Sequence, residues 1–362
     1  MRMLAVLLLA LAASAAAASA ILELGHGHVV FVTGGGATFP YPQYYMWMLK
    51  FMEEHPRVRM TYEYLGSGAG QARFFQGTLD FAGSDPPLGH EVWEQYRGKV
   101  MQVPVLLGAV VVTYNLPELG DKTINLTGRV LALIYRGDIE YWDDPRIQEL
   151  NPGVKLPHKP IIVVYRADAS GTQEVFTLFL HKAAPDIWPR ELVGKAPEYP
   201  VAATGRALGG LGNAGVADIV VQRPYTIGFI EWSFAIENNM PVAAIMNREG
   251  RFVKPSIESL QAVARAAAEK LPRDPRGDFS GDLDYVVYAE GEDAYPITAW
   301  THLILWTSYS DPEKARAVAE FLRWIALKGD EYMVPGYAPP PEPLKQLLLR
   351  AAEILEESAA AG

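Results

Sequence analysis

Apolar positions in the first part of the chain change repeatedly between two spacings. Residues 29–32 form a short apolar run, and apolar and aromatic residues at helical spacing follow at 44–52. Residues 58–64 alternate apolar with polar, a short helical pattern ends before Gly77, and 79–83 is apolar again. Alternation at every second position predicts a strand, and a period near 3.6 predicts an amphipathic helix. The resulting β-α-β-α-β order predicts an α/β fold with a mostly parallel sheet.

The middle of the chain carries an unusually long apolar run at residues 103–114. A strand of that length can pass from one domain into another, and a later strand at 301–306 is predicted to return. Two domains are also expected because 362 residues exceed the usual size of a single core. The same rules predict helices at 126–135, 175–180, 310–329 and 344–355, the third opened by a capping box of Ser310 and Glu313, and strands at 161–165, 225–232 and 242–246.

The N-terminus has the features of a targeting segment. Arg2 is followed by an apolar stretch at 4–11 and by a small-x-small signal, Ala18-Ser19-Ala20. A signal peptide over 1–20, cleaved near Ala20, is predicted, and the alternative is an uncleaved N-terminal anchor. Either way the folded part is expected outside the cytoplasm, in the periplasm or at the cell surface.

Charge and cysteine content exclude several function classes. The chain has 32 basic and 42 acidic residues, a net charge of −10, which argues against a nucleic-acid partner or an anionic membrane surface. It has no cysteine. Thiolate metal sites, cysteine nucleophiles and the lipid-modified cysteine of a bacterial lipoprotein are therefore excluded.

Three loops rich in Gly, Ser and Thr, at 34–40, 65–70 and 168–172, each lead into a predicted helix. Backbone N–H groups at helix starts bind anions, and small residues allow close approach. Three such loops predict an oxyanion held by several helix ends. Thr38, Phe39 and Ser67 are candidates for the first two loops, with simple helix capping by Thr38 or Ser67 as the alternative.

The third loop supplies the most specific candidates. A predicted strand ends at Arg166, and Ser170, Gly171 and Thr172 open the next helix. A planar guanidinium, two hydroxyls and successive amides can surround a tetrahedral oxyanion. Asp168 could hold the guanidinium in place, and the alternative is an ordinary Asx turn or surface pair.

Asp85 is unexpected beside an anion. A buried carboxylate repels a fully ionised oxyanion but accepts a hydrogen bond from one that still carries a proton. Phosphate near neutral pH has that proton and sulfate does not, so Asp85 is interpreted as a filter. The alternative is that Asp85 merely begins a turn before Pro86 and Pro87.

A G-x-G-x-x-G pattern occurs at 210–215. No strand is predicted before it, so a dinucleotide site is disfavoured, and Asn213 is predicted to cap a helix. His26 and His28 could bind a metal but lie in the predicted tail of the mature chain, and the remaining histidines show no metal-ligand spacing. No Walker loop or nucleophile elbow is present, and neither cofactor nor metal is expected.

Taken together, the motifs resemble one family. They are GGATFPYP at 35–42, GSG at 66–68, DF at 80–81 with SD at 84–85, PV at 104–105 with GAVV at 108–111, YWDD at 141–144, LNPG at 150–153, RAD at 166–168 with SGT at 170–172, IGFIE at 227–231 and AYPI at 294–297. In this order they resemble the phosphate-binding protein of the high-affinity phosphate ABC transporter. The resemblance runs from about Val32 to the final helix.

The resemblance implies a two-lobed, type II periplasmic-binding-protein fold that closes over one phosphate. One lobe would comprise 27–106 plus 297–362 and the other 107–296, with crossings near Leu106 and Ile297. Carried over by position, the phosphate contacts fall on Thr38, Phe39 through its backbone, Ser67, Asp85, Arg166, Ser170, Gly171 and Thr172, with Asp168 steadying the arginine. The family's Gly-Lys-Gly-Asn turn is altered at 210–213, and 204–208 resembles an extra loop.

The function implied is an exported, monomeric and non-enzymatic phosphate receptor. Its partners would be inorganic phosphate, the membrane permease of an ABC transporter and, indirectly, the ATPase. Two alternatives stay open: a receptor for sulfate, molybdate or tungstate, and a secreted phosphatase. A phosphatase would need a nucleophile with a base or a metal pair, and the sequence suggests neither.

Overall fold

The computed structural model describes residues 28–361, in which strands and helices largely alternate as the sequence predicts. The predicted signal peptide, residues 1–20, lies outside the described residues. Within the described part, no helix is both long and apolar enough to cross a membrane.

Strands and helices have the following bounds. The strands are β1 (Val30–Gly36), β2 (Val58–Tyr64), β3 (Phe81–Ser84), β4 (Val100–Tyr114), β5 (Asn125–Leu126), β6 (Ile162–Arg166), β7 (Ala207–Gly210), β8 (Thr226–Glu231), β9 (Ala244–Met246), β10 (Phe252–Val253), β11 (Thr298–Trp306) and β12 (Tyr337–Ala338). The α-helices are α1 (Tyr41–Glu54), α2 (Ser67–Phe75), α3 (His90–Gln95), α4 (Gly128–Arg136), α5 (Pro145–Gln148), α6 (Gly171–Ala183), α7 (Gly212–Gln222), α8 (Trp232–Glu237), α9 (Ile257–Ala268), α10 (Pro312–Lys328) and α11 (Glu342–Ala361). Short 3-10 helices lie at Pro117–Leu119, Arg190–Leu192, Pro200–Thr204, Asp282–Tyr285 and Gly329–Tyr332.

The large sheet has the strand order β2-β1-β3-β11-β4-β8-β6-β7, and β12 also pairs with β4. Pairing is parallel in both outer parts, where β1 joins β2 and β3 and where β6 joins β7 and β8. In the centre, β11 runs antiparallel to β3 and β4, and β4 runs antiparallel to β8. The predicted parallel sheet is therefore wrong for the centre, because the chain leaves one part through β4 and returns through β11 in the opposite direction. A small sheet joins β5, β9 and β10.

β4 connects the two parts of the large sheet. All of its residues are buried, as the long apolar run predicts. Its first ten positions, up to Ala109, lie in the part that pairs with β11, and the rest from Val110 pairs with β8. At the change of partner, the Val110 amide donates to the Ile297 carbonyl at 2.8 Å. We call the part with β1, β2, β3 and β11 the first lobe, and the part with β6, β7 and β8 the second lobe.

Two local predictions are wrong by small shifts. The cap of α10 is Asp311, whose carboxylate accepts from the Glu313 amide at 2.9 Å, and not Ser310. Pro312 at the first helical position fixes the cap one residue before itself. The predicted extra loop at 204–208 is also wrong at its end, because Ala207–Gly210 form β7. This glycine-rich segment becomes a strand by pairing with β6, a long-range contact that local propensity does not report.

Candidate oxyanion-binding site

The candidate residues gather where strands end and helices begin. The loops after β1, β3 and β6 and the first turns of α2 and α6 carry them. In an open α/β sheet, the carboxyl ends of parallel strands are the usual place for a ligand. All of the predicted contact residues are buried: Thr38, Phe39, Ser67, Asp85, Arg166, Ser170, Gly171 and Thr172.

Thr38 is not a helix cap. The residue before α1 is Pro40, which makes no side-chain cap hydrogen bond. The Thr38 hydroxyl instead accepts from the Asn213 amide at 3.2 Å and from Asn213 Nδ2 at 2.9 Å. Thr38 therefore connects the first lobe with the start of α7 in the second.

Phe39 is held through its backbone and its ring. The Tyr337 hydroxyl donates to the Phe39 carbonyl at 2.5 Å, and the two rings meet edge to face with centroids 6.4 Å apart. Both side chains are fully buried. These contacts fix the loop that carries Thr38.

Ser67 and Asp85 contact each other within the first lobe. Ser67 is the first residue of α2, and its hydroxyl accepts from the Asp85 amide at 3.2 Å. The Asp85 carboxylate accepts from the Thr301 hydroxyl at 3.1 Å and lies 3.5 Å from Ser67 Oγ. Among the described residues its bonded partners therefore come from β11 and α2, and these long-range contacts do not support the interpretation of Asp85 as a simple turn residue.

Burial determines the electrostatics of Asp85. The residue is 1% exposed, and loss of hydration raises the pKa of its carboxyl to about 7, against the opposing effects of the Thr301 hydrogen bond and the positive charges of Arg166 and His302. The group thus titrates in the same range in which phosphate exchanges its second proton.

Arg166 ends β6 and is held by Asp168. Its Nε donates to Asp168 Oδ1 at 2.7 Å, and Nη2 donates to Asp168 Oδ2. Asp168 Oδ1 also accepts from the Gly212 amide at 3.2 Å. Because two atoms of the guanidinium are fixed by one carboxylate, its direction is set before any ligand is bound.

The first turn of α6 presents Ser170, Gly171 and Thr172. Ser170 is the cap, and its hydroxyl accepts from the Gln173 amide at 3.1 Å. The Thr172 hydroxyl accepts from Asn213 Nδ2 at 3.1 Å. Capping and ligand binding are compatible for Ser170, because a hydroxyl that accepts a backbone N–H still has a proton to donate.

The two lobes meet closely at this helix start. An ideal Cβ on Gly171 would lie 2.4 Å from Ser67 Oγ and 2.6 Å from Asp85 Oδ2. A Cβ on Gly66, whose φ is +95°, would lie 2.6 Å from Asp168 Oδ2. The Gly68 amide donates to the Ala169 carbonyl at 3.0 Å. Glycine is required here because one lobe approaches the backbone of the other.

The G-x-G-x-x-G segment differs from expectation in two ways. A strand, β7, does precede it, and Asn213 is the second residue of α7 instead of its cap. The amides of Gly212, Asn213 and Ala214 donate to Asp168, Thr38 and the Tyr64 hydroxyl. These three amides at the start of α7 therefore already have hydrogen-bond partners within the protein.

Sequence reasoning missed the contribution of several residues. Asn213 bridges Thr38, Thr172 and the Glu231 amide, the last at 2.8 Å. The turn spelled GLGN was its only signal. Thr301, which donates to Asp85, had no local signal because 216 positions separate the two residues.

Comparisons with known proteins agree with this architecture. Residues 12–328 match the model described as PBP superfamily domain. A protein of Methanocaldococcus jannaschii named phosphate-binding protein PstS is 42% identical over 89% of this chain and 85% of its own length. A Pasteurella multocida protein of the same name is 36% identical over 87% of this chain and 88% of its own. The chain belongs to the PstS family.

Solved structures show the same fold as this PstS family member. One is a high affinity periplasmic phosphate-binding protein bound with phosphate at pH 8.5, with a TM-score of 0.69 at 22% identity, covering 87% of this chain and 92% of that one. Another is a phosphate binding protein from Stenotrophomonas maltophilia, with a TM-score of 0.64 at 19% identity over 89% and 93%. The predicted resemblance and the two-lobed fold are confirmed. The individual contact residues and lobe boundaries stay predictions.

Proposed function

We propose that this chain is an extracytoplasmic receptor that binds inorganic phosphate between its lobes and delivers it to the membrane permease of an ABC transporter. Membership of the PstS family supports this, since relatives 42% and 36% identical are named phosphate-binding proteins. The N-terminal sequence supports export. No turnover of the bound anion is part of this proposal, and neither cofactor nor metal enters it.

The proposed ligand shell is the buried group Thr38, Phe39, Ser67, Asp85, Arg166, Ser170, Gly171 and Thr172. Arg166 supplies a full positive charge, and its pairing with Asp168 directs the guanidinium. The start of α6 adds amides at the positive end of a helix dipole. Donors from both lobes would then surround the anion, so binding and lobe closure support each other.

The buried Asp85 carboxylate is the observation that carries the choice of anion. An otherwise donor-rich site includes one strong acceptor, which lies at the contact between Ser67 and Gly171. Phosphate with a proton can donate to Asp85, whereas sulfate would place two acceptors face to face. A mismatch of this kind gives discrimination of up to about 10⁴ while the acceptor is fully ionised, and less as pH falls toward the pKa of Asp85, about 7.

The moving bodies in this proposal are residues 27–106 plus 297–362 and residues 107–296. The change of partner along β4 at Ala109 and Val110, beside Ile297, supports a hinge at that place. Opening would separate Thr38 from Asn213 and Gly68 from Ala169.

A titration of the purified chain lacking residues 1–20 with inorganic phosphate at pH 8 tests the function. Calorimetry or tryptophan fluorescence is expected to give one saturable site per chain. Phosphomonoester turnover by the same sample is expected to be absent. A chain that is folded by circular dichroism and gives no phosphate signal at millimolar concentration would contradict the proposal.

A further inference from the structure

A buried ion pair lies directly behind Asp85. His302 belongs to β11, opposite Ser84 of β3. Its Nδ1 lies 3.0 Å from the Asp85 carbonyl and 3.2 Å from the Ser84 carbonyl, and its Nε2 lies 2.5 Å from Asp282 Oδ2. His302 is 0% exposed and Asp282 is 1% exposed. Neither His302 nor Asp282 belongs to the proposed ligand shell.

The surroundings of the ring favour the imidazolium. Nδ1 faces only carbonyl oxygens, so it must carry a hydrogen to bond with them, and Nε2 faces a carboxylate. Burial opposes the charge, but the Asp282 carboxylate and the two backbone carbonyls outweigh it and raise the pKa of His302. Burial also raises the pKa of Asp282, against the attraction of His302. Asp282 Oδ1 has no hydrogen-bond partner among the described side chains and backbone groups.

Few other ionisable groups face this pair. His302 contacts Asp85 through the Asp85 backbone carbonyl. Asp284, on the same 3-10 helix as Asp282, pairs with Lys182. Around Asp85, the other charge is Arg166. Tyr44, Tyr62 and Tyr337 also lie near Asp85, and burial keeps the three phenols neutral by raising their pKa values. Thus Arg166 and His302 are the cations that stabilise an ionised Asp85.

We propose that His302 and Asp282 are positioning residues for oxyanion selectivity: the imidazolium, fixed between Asp282 and the Ser84 and Asp85 carbonyls, keeps the Asp85 carboxylate ionised and so sets the pH range in which sulfate is rejected. This inference rests on the phosphate-binding function proposed above. An ionised Asp85 only accepts hydrogen bonds, whereas a protonated Asp85 would donate to sulfate.

The pH dependence follows from the sign of this interaction. Sulfate is admitted as pH falls through the pKa of Asp85, which burial places at about 7. Loss of the imidazolium removes a stabilising charge, so the pKa of Asp85 rises further and sulfate is admitted at higher pH. Phosphate is affected less, because Asp85 and phosphate share one proton whichever of them carries it.

Two variants test the inference without touching the ligand shell. Asp282→Asn keeps the geometry, since the amide can donate to Nε2 of a neutral imidazole. The substitution removes the negative charge of Asp282 and, with it, the positive charge that this carboxylate stabilises on His302. His302→Gln removes the ring itself. His181→Gln is the matched control, because His181 also contacts a backbone carbonyl, that of Trp188 at 2.8 Å, but lies near the far end of α6.

Sulfate and phosphate affinities are measured by calorimetry from pH 5.5 to pH 9 for all four proteins. In both test variants the sulfate profile is expected to move to higher pH by about one unit, which makes sulfate bind about fivefold tighter at pH 8 and about ninefold tighter at pH 9, with phosphate affinity within about threefold of wild type. His181→Gln is expected to match the wild type.

Two outcomes overturn the inference, and they are distinguishable. A wild type that binds phosphate, with a sulfate profile unmoved in Asp282→Asn, overturns this inference alone. A wild type that binds no phosphate overturns the proposed function as well. If His302→Gln does not fold, the isosteric Asp282→Asn variant decides the question.

Discussion

Two ionisable residues in the cleft, Asp85 and Arg166, are buried, and burial of an ionisable group lowers the free energy of unfolding of the ligand-free protein. Asp85 is a buried carboxyl with a strongly raised pKa, and Arg166 is a buried guanidinium held by one carboxylate. Such groups are retained where binding needs them. Their effects on stability and on affinity are therefore expected to have opposite signs.

Asp85→Asn is expected to stabilise the ligand-free protein at pH 8 but not at pH 4. The folded-state pKa, about 7, is above the unfolded value, so the protonated form is favoured by folding, and that stability is lost as pH rises from about 4 through 7. In the closed form a shift of about three units corresponds to about 4 kcal/mol, and opening of the ligand-free lobes rehydrates Asp85, so the variant is expected to regain at most this amount at pH 8. Denaturant unfolding at both pH values measures it. Asp218→Asn, on the exposed face of α7, is the control, and equal stability of Asp85→Asn and wild type at pH 8 would contradict the burial argument.

Arg166→Ala is expected to weaken phosphate binding by at least about thirtyfold, because a buried charge contact is worth about 2 to 5 kcal/mol. Arg146→Ala is a matched control. Arg146 grips Asp144 two residues before it through Nε and Nη2, at 2.9 and 2.8 Å, but its side chain is 48% exposed. Calorimetry should find unchanged affinity in that control. Similar losses of phosphate affinity in Arg166→Ala and Arg146→Ala would contradict a specific role for the arginine in the cleft.

At the scale of elements, most strands and helices could be predicted, but the partners of individual side chains could not. The continuous apolar run gives β4, whose residues are all buried, and helical periodicity gives α6, each within a few residues. Thr38 was open to interpretation as a cap, and only the tertiary structure brings it to Asn213. Asp85 with Thr301, and His302 with Asp282, join segments far apart in the chain, and no local pattern carries that information.

The contact of α6 with the first lobe gives a prediction about closure. Gly171→Ala would place a Cβ within 2.6 Å of Ser67 Oγ and Asp85 Oδ2 in the closed form. Phosphate affinity is expected to fall by about fivefold to a hundredfold, since overpacking typically costs about 1 to 3 kcal/mol. The unfolding free energy of the ligand-free protein is expected to change little, because the open form relieves the clash.

Gly194→Ala is the control for this glycine, since nothing lies within 4 Å of a Cβ at Gly194. Calorimetry and denaturant unfolding of both variants separate closure from folding. Wild-type phosphate affinity in Gly171→Ala would mean that the ligand is bound without this approach of the lobes.

For the whole molecule, binding and closure are one equilibrium. Contacts between the lobes that do not touch the ligand stabilise only the closed form, so they should slow phosphate release. The Tyr64 hydroxyl is such a contact, because it accepts from the Ala214 amide at 2.9 Å across the cleft.

Tyr64→Phe is expected to weaken phosphate binding by about threefold to tenfold, the loss of one hydrogen bond of about 0.5 to 1.5 kcal/mol. The effect should lie in a faster dissociation rate, measured by stopped-flow fluorescence. Tyr309→Phe is the control, because that hydroxyl donates to the Asp80 carbonyl within the first lobe. An unchanged dissociation rate in Tyr64→Phe would show that this contact does not hold the lobes together.

The most direct measurement is calorimetric competition between phosphate and sulfate at pH 8, for wild type and for Asp85→Asn. A carboxyl with a pKa of about 7 is about nine-tenths ionised at pH 8, so wild type is expected to prefer phosphate by at least about tenfold, and the variant to lose most of that preference, because an amide can donate to sulfate and a carboxylate cannot. Comparable affinities for the two anions in the wild type, or an unchanged preference in Asp85→Asn, would contradict the role given to the buried carboxylate.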